Sequence, residues 1–126
     1  MKHVLVVDDE HDILSCLNEA LTSEGYQVTA AVTGIEAVDM LAADPPDLVI
    51  LDLRMPGMSG LEILRTIRRT YPELPVVVCT ALSSYRNDFD VLDANVSAFL
   101  EKPIDLDELL STVRDAIGQG ETTCVA

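Results

Sequence analysis

Three short stretches of this chain are apolar at every position: 4–7 (VLVV), 48–51 (LVIL) and 76–79 (VVVC). A strand with one face in water alternates apolar and polar residues. An unbroken, β-branched-rich run of four therefore asks for cover on both faces, as in a parallel sheet. Two weaker runs, 28–32 (VTAAV) and 96–100 (VSAFL), have the same character.

Between these runs the apolar period changes from continuous to helical. Ile13, Leu14, Leu17, Ala20 and Leu21 share one helix face, as do Leu61, Leu64 and Ile67, and later Leu106, Leu109, Leu110, Val113 and Ile117. Capping boxes start three helices: Thr33 with Glu36, Ser59 with Glu62, and Asp105 with Glu108. Ser83 caps a further candidate helix through Tyr85, Phe89 and Leu92, where Tyr85 and Phe89 are either core or partner surface, Phe89 read as core and Tyr85 as exposed. Gly25 and Asn95 stand where helices should end, and both residue types tolerate left-handed backbone. Pro45-Pro46 and the Pro72 to Pro75 stretch stop helices just before strands. The string reads βαβαβαβαβα, which predicts an α/β fold with a parallel sheet, helices on both faces and right-handed crossovers.

With 126 residues the chain makes one domain and buries a sizeable core without staples. The domain is expected over 1–118, with 119–126 a flexible C-terminal tail or the start of a linker. The net charge of −14 argues against direct nucleic-acid binding, which needs a basic face, and against anionic membrane surfaces. Cys16, Cys79 and Cys124 form no CxxC and no Cys/His cluster, so zinc and a disulfide framework are not expected. Reduced thiols, and no run long enough for a signal peptide or a membrane span, point to the cytoplasm.

In open α/β sheets, ligands bind outside the carboxyl ends of the strands. The candidate strands end in Asp8-Asp9-Glu10, in Asp52, in Thr80-Ala81 and in Glu101-Lys102-Pro103. Asp8 or Asp9 alone could simply cap the first helix, and a lone threonine or lysine at a strand end is ordinary. Their convergence on one edge is what carries chemistry. Carboxylates about 4 Å apart repel by about 4 kcal/mol per pair at an effective dielectric of 20. A hard divalent cation relieves that repulsion. Few carboxylates with retained waters is the pattern of Mg²⁺, and no histidine stands among these strand-end residues to favour zinc. With a lysine ammonium, a hydroxyl and backbone N–H groups nearby, one aspartate could act as a nucleophile toward a phosphoryl group.

The motifs VVDDE at 6–10, DLRMPGMSG at 52–60, TA at 80–81 and KP at 102–103, in this order and spacing, resemble the receiver (phosphoacceptor) domain of two-component response regulators. The resemblance covers about residues 2–117. It implies a flavodoxin-like (βα)5 doubly wound sheet of strand order 2-1-3-4-5. It implies Asp52 as phosphoacceptor, with Mg²⁺ held by Asp8, Asp9, Asp52 and the backbone carbonyl of Arg54. Lys102 would contact the phosphoryl oxygens, the Ala81 N–H would face the phosphate, and Thr80 would be the switch hydroxyl.

Phe99 matches the aromatic switch position, where the family more often has tyrosine. Core packing is its alternative role, and both can hold in different states. Asn95 stands where the family usually has glycine, and it can supply the same left-handed turn. The resemblance further implies a sensor histidine kinase or phosphotransfer protein as donor, and an output domain or downstream protein as target. The face made by the fourth candidate helix, the fifth strand and the last helix would switch, and could also serve a dimer. The chain would be no enzyme for external substrates, catalysing only its own phosphoryl transfer and slow autodephosphorylation. Arg54 and Leu82, two residues beyond Asp52 and Thr80, are poor orienters of an attacking water and predict decay over many minutes.

Three rival readings are weaker. A flavin-type cofactor binder wants a Ser/Thr/Gly-rich phosphate loop after the first strand, where Asp8-Asp9-Glu10 instead repels phosphate. A Mg²⁺-dependent phosphohydrolase needs a general acid and a cap domain for which this sequence has no insertion. A degenerate receiver would have lost part of the acceptor set, which is complete here.

Overall fold

A computed structural model describes residues 2–52, 60–80, 98–101 and 103–118, with the backbone alone at Leu61, Thr80 and Glu101. The five strands are β1 (His3–Val7), β2 (Gln27–Ala31), β3 (Leu48–Leu51), β4 (Val76–Thr80) and β5 (Ala98–Glu101). The four described helices are α1 (His11–Ser23), α2 (Gly34–Ala43), α3 (Gly60–Thr70) and α4 (Leu106–Gly118), the last helix of the sequence. The helix expected after Ser83, with Tyr85, Phe89, Leu92 and Asn95, lies outside the described residues.

All strand pairs are parallel and the sheet order is β2-β1-β3-β4-β5. This is the doubly wound, five-stranded α/β architecture expected from the sequence. Successive side chains leave a strand on opposite faces, so each all-apolar run feeds two cores. Leu5 and Val7 of β1, with Val49, Leu51, Val76 and Val78, pack with Ala37 and Leu41 of α2 and Ile63, Leu64 and Ile67 of α3. Val4 and Val6, with Leu48, Ile50, Val77 and Cys79, pack with Leu14, Leu17 and Leu21 of α1 and Leu109, Val113 and Ile117 of α4. β1 and β3 are central and buried along nearly their whole length, which is why their sequences show no alternation.

The helix ends follow local chemistry. Thr33 Oγ1 accepts the Glu36 N–H at 3.1 Å, and Glu36 Oε1 accepts the Val32 N–H at 2.8 Å. Asp105 Oδ1 accepts from the N–H groups of Asp107 and Glu108. Thr33 and Asp105 thus cap their helices as expected, with the Glu36 carboxylate reaching back one residue beyond the cap, while Ser59 lies outside the described residues. α1 closes at Gly25, whose φ of +92° is left-handed. The Tyr26 N–H reaches Leu21 O and the Gly25 N–H reaches Thr22 O, which satisfies two of the helix's last carbonyls.

The edge strands depart slightly from expectation. β2 spans 27–31, not 28–32, and β5 begins at Ala98 among the described residues. β2 is half exposed and lies at the sheet edge, so its sequence carries little apolar signal to mark its bounds.

Candidate functional site

The sheet order reverses between β1 and β3: the chain winds from β1 outward to β2, then returns to β3, β4 and β5. Helices splay apart at such a reversal and leave a crevice beyond the strands' carboxyl ends. Val7 pairs with Leu51, so the next residues, Asp8 and Asp52, emerge side by side at that crevice. Each is anchored by its backbone. The Asp8 N–H donates to Ala31 O at 3.1 Å and the Asp52 N–H to Val7 O at 2.9 Å.

Their carboxylates are buried, at 3% and 4% exposure, whereas Asp9 and Glu10 are exposed. Asp8, Asp9, Glu10 and Asp52 each present a carboxylate oxygen within 4.8 Å of the others. Asp8 Oδ1 also accepts the Glu10 N–H at 2.9 Å, a short turn that fixes the carboxylate at the strand end. Neither Asp8 nor Asp9 caps α1: the N-cap is Glu10, with no side-chain cap bond. The capping alternative for the Asp8-Asp9 pair is thereby set aside.

The donor set fits a hard divalent cation. It consists of oxygens alone, without histidine or cysteine, and oxygens on opposite sides of one octahedral Mg²⁺ lie about 4.2 Å apart. A 4.8 Å envelope encloses one such ion. Asp8, Asp9 and Asp52 are thus brought together as the sequence predicted. Glu10 is a fourth member that sequence reasoning left unassigned, although the DDE run displayed it.

Around this cluster the backbone places more of the expected set on the same edge. Val78 pairs with Leu51 and Thr80 with Glu101, so position 80 and the residue before Lys102 lie at the carboxyl end of the sheet. The Thr80 side chain, Arg54, Ala81, Leu82 and Lys102 lie outside the described residues. Phe99, in β5, is half-buried against the core on the α2–α3 side. An apolar groove of about 250 Å³, lined by Ile13, Cys16, Leu17, Pro103, Ile104 and Leu106, contains none of the four carboxylates. Cys16 is exposed and Cys79 buried, and neither is in a disulfide; Cys124 lies outside the described residues. Among the described residues no helix is long and apolar enough to cross a membrane.

Fold and site together define an open α/β domain with an acidic, cation-type pocket at the point where strand order reverses. More particularly, the chain belongs to the response regulator receiver domain family of two-component systems, whose profile matches residues 4–114. It is 42% identical over 111 residues to the response regulator MprA of Mycobacterium avium, covering 88% of this chain and 49% of that protein. The chain thus spans about half the length of the curated relatives it matches. A CheY-like receiver domain protein from Methanospirillum hungatei superimposes with a TM-score of 0.91 at 28% identity, covering 98% of both chains. The response regulator TrrA of Thermotoga maritima, solved in complex with Mg²⁺–BeF, gives a TM-score of 0.86 at 40% identity, covering 92% of this chain and 99% of that one.

Proposed function

We propose that this domain accepts a phosphoryl group on Asp52, from the phosphohistidine of a sensor histidine kinase or of a phosphotransfer protein. The observation that carries the reading is the meeting of Asp8, Asp9 and Asp52 within 4.8 Å at the β1–β3 crevice of a chain that belongs to the receiver family.

Asp52 is the nucleophile. An Asp52 carboxylate oxygen forms a bond to phosphorus while the phosphorus–nitrogen bond of the donor breaks, and the electron pair leaves with the imidazole, which takes up a proton. The backbone bond from Asp52 to Val7 O and the burial of the side chain hold the nucleophile at the crevice and limit its rotamers. Pre-set position of this kind is most of what phosphoryl transfer asks of a protein. Asp8, Asp9, Asp52 and the Arg54 carbonyl would hold Mg²⁺, which supplies positive charge against the incoming phosphoryl oxygens. Lys102 would add its ammonium and Ala81 its N–H on the far side.

Phosphorylation then exchanges one carboxylate charge for about two and adds three acceptor oxygens. That gives the Thr80 hydroxyl a reason to move inward and Phe99 room to follow. A partner that prefers this closed form draws the population toward it, and the face around β5 and α4 is the part such a partner would read, whether output domain, downstream protein or second copy. In this reading the domain works in the cytoplasm, turns over no external substrate and loses its phosphoryl group slowly.

The test is intact-mass measurement after incubation with acetyl phosphate, with and without Mg²⁺, on the wild type and Asp52→Asn. One added phosphoryl group in the wild type with Mg²⁺, and none in the variant, is the expected result. No Mg²⁺-dependent gain in the wild type overturns the reading.

A further inference from the structure

We infer that the outer face of α2 and α3 is a docking surface for a second copy of this chain. Helix α2 is apolar nearly all round. Ala37 and Leu41 pack into the core. On the outer side, helical spacing sets Ile35, Val38 and Ala42 in one row. Ile35 is 68% exposed, the one large apolar side chain so placed among the described residues. A helix that is apolar on every side is normally covered on every side. The row continues across a cleft of about 80 Å³, where Val38 and Ala42 of α2 meet Thr66 and Thr70 of α3. Only uncharged residues line that cleft.

The two flanks of this strip differ in charge, which points to a second copy as the occupant. Asp39, exposed, stands on the α2 flank, while Glu36 folds back onto the Val32 N–H. Arg65 and Arg69, exposed and one turn apart, stand on the α3 flank against one acid, Glu62. Both helices cover the same face of a parallel sheet, so they run side by side in one direction. A two-fold axis parallel to them sets the Asp39 flank of each copy over the arginine flank of the other and covers both Ile35 rows between. Such an isologous contact closes as a dimer. Each copy carries a net charge of −14, but charges farther apart than about 8 Å are largely screened at physiological salt, so the pairs at the contact decide. Two helices a side make a small interface, and its Kd is expected on the order of 0.1–1 mM. This face is separate from the acceptor crevice and from β5 and α4, and the contact needs neither metal nor phosphoryl group.

The experiment is sedimentation equilibrium, with amide NMR shifts, on the unphosphorylated chain from about 20 µM to about 1 mM at physiological salt. The expected result is a reversible rise toward the mass of a dimer, with concentration-dependent shifts on α2 and α3. Ile35→Ser should weaken association at least about tenfold, because the contact buries that side chain once in each copy. Asp39→Lys and Glu19→Lys, the latter an exposed acid on α1, each raise the net charge of −14 by two. Reduced repulsion alone would tighten association in both. The docking geometry instead predicts that Asp39→Lys weakens it about tenfold and that Glu19→Lys does not weaken it. Low-concentration spectra that match the wild type away from each substitution show that the variants fold. A chain that stays monomeric up to about 1 mM overturns the inference and leaves the face to a different protein. Association that shifts other helices, survives Ile35→Ser or is tightened by Asp39→Lys also overturns it. Each of these outcomes leaves the phosphoryl-acceptor reading of Asp52 untouched.

Discussion

Without its cation the acidic crevice should work against folding, and Asp52→Asn should make the metal-free protein more stable. Asp8 and Asp52 are both more than 95% buried, with carboxylate oxygens no more than 4.8 Å apart. At that separation and an effective dielectric of 20, their repulsion is about 3.5 kcal/mol. The favourable interactions of the charged Asp52 that a neutral asparagine weakens, and residual repulsion in the unfolded chain, offset part of the difference, leaving a gain of about 2 kcal/mol. For a chain of this length that is a rise in Tm of about 8 °C. Thermal unfolding followed by far-UV circular dichroism in EDTA reads it directly. Asp39→Asn, an exposed acid on α2 outside the cluster, serves as a charge control and should stay within about 0.5 kcal/mol of the wild type. Adding Mg²⁺ to a hundred times its Kd should stabilise the wild type by about 2.7 kcal/mol and close the gap. A lower Tm for Asp52→Asn in EDTA, or a rise no larger than that of Asp39→Asn, would refute the electrostatic argument.

Two further predictions concern the scaffold. Gly25→Ala meets no atom within 4 Å of its new Cβ, so its cost is backbone strain alone at φ +92°, about 1–2 kcal/mol, measurable as a lower urea midpoint. Arg68→Met removes a guanidinium that donates to the carbonyls of Tyr71, Pro72 and Leu74, the last at 2.6 Å, and so ties the end of α3 to the loop entering β4. Burial lowers the Arg68 pKa from the ordinary arginine value, and these carbonyls compensate for its lost hydration. The variant should lose about 2 kcal/mol by chemical denaturation, and an unchanged midpoint would contradict that role.

The central strands were legible because burial on both faces leaves an unmistakable pattern, as in the LVIL of β3. The site's acidic half was legible for a topological reason: strands that carry two-sided cores must bring their carboxyl ends to one edge, and Asp8 and Asp52 follow directly on paired residues. Glu10 was on display but unassigned, since one-dimensional spacing does not say whether a residue after a strand turns into the helix or back to the crevice. In α3, the period pointed to Leu61, Leu64 and Ile67 and passed over Ile63, which is fully buried because α2 and the sheet together cover a wide arc of that helix. Contacts between distant segments left no periodic trace at all. The Tyr71 hydroxyl donates to Leu41 O at 3.1 Å, linking α2 to the end of α3. His3 shares a 2.7 Å hydrogen bond with Thr29 Oγ1, and its N–H donates to Asp47 Oδ2 at 2.7 Å. Such bonds depend on which loops the finished sheet brings together.

The claim at the centre of this account is that one particular carboxylate becomes an acyl phosphate. Borohydride reduces an acyl phosphate to the corresponding alcohol, so an aspartyl phosphate is converted to homoserine and releases phosphate. After phosphorylation in the presence of Mg²⁺, reduction and peptide sequencing by mass spectrometry, homoserine should stand at position 52 and at no other aspartate. Homoserine at Asp8 or Asp9, or its absence throughout a protein shown to carry phosphate, would contradict it.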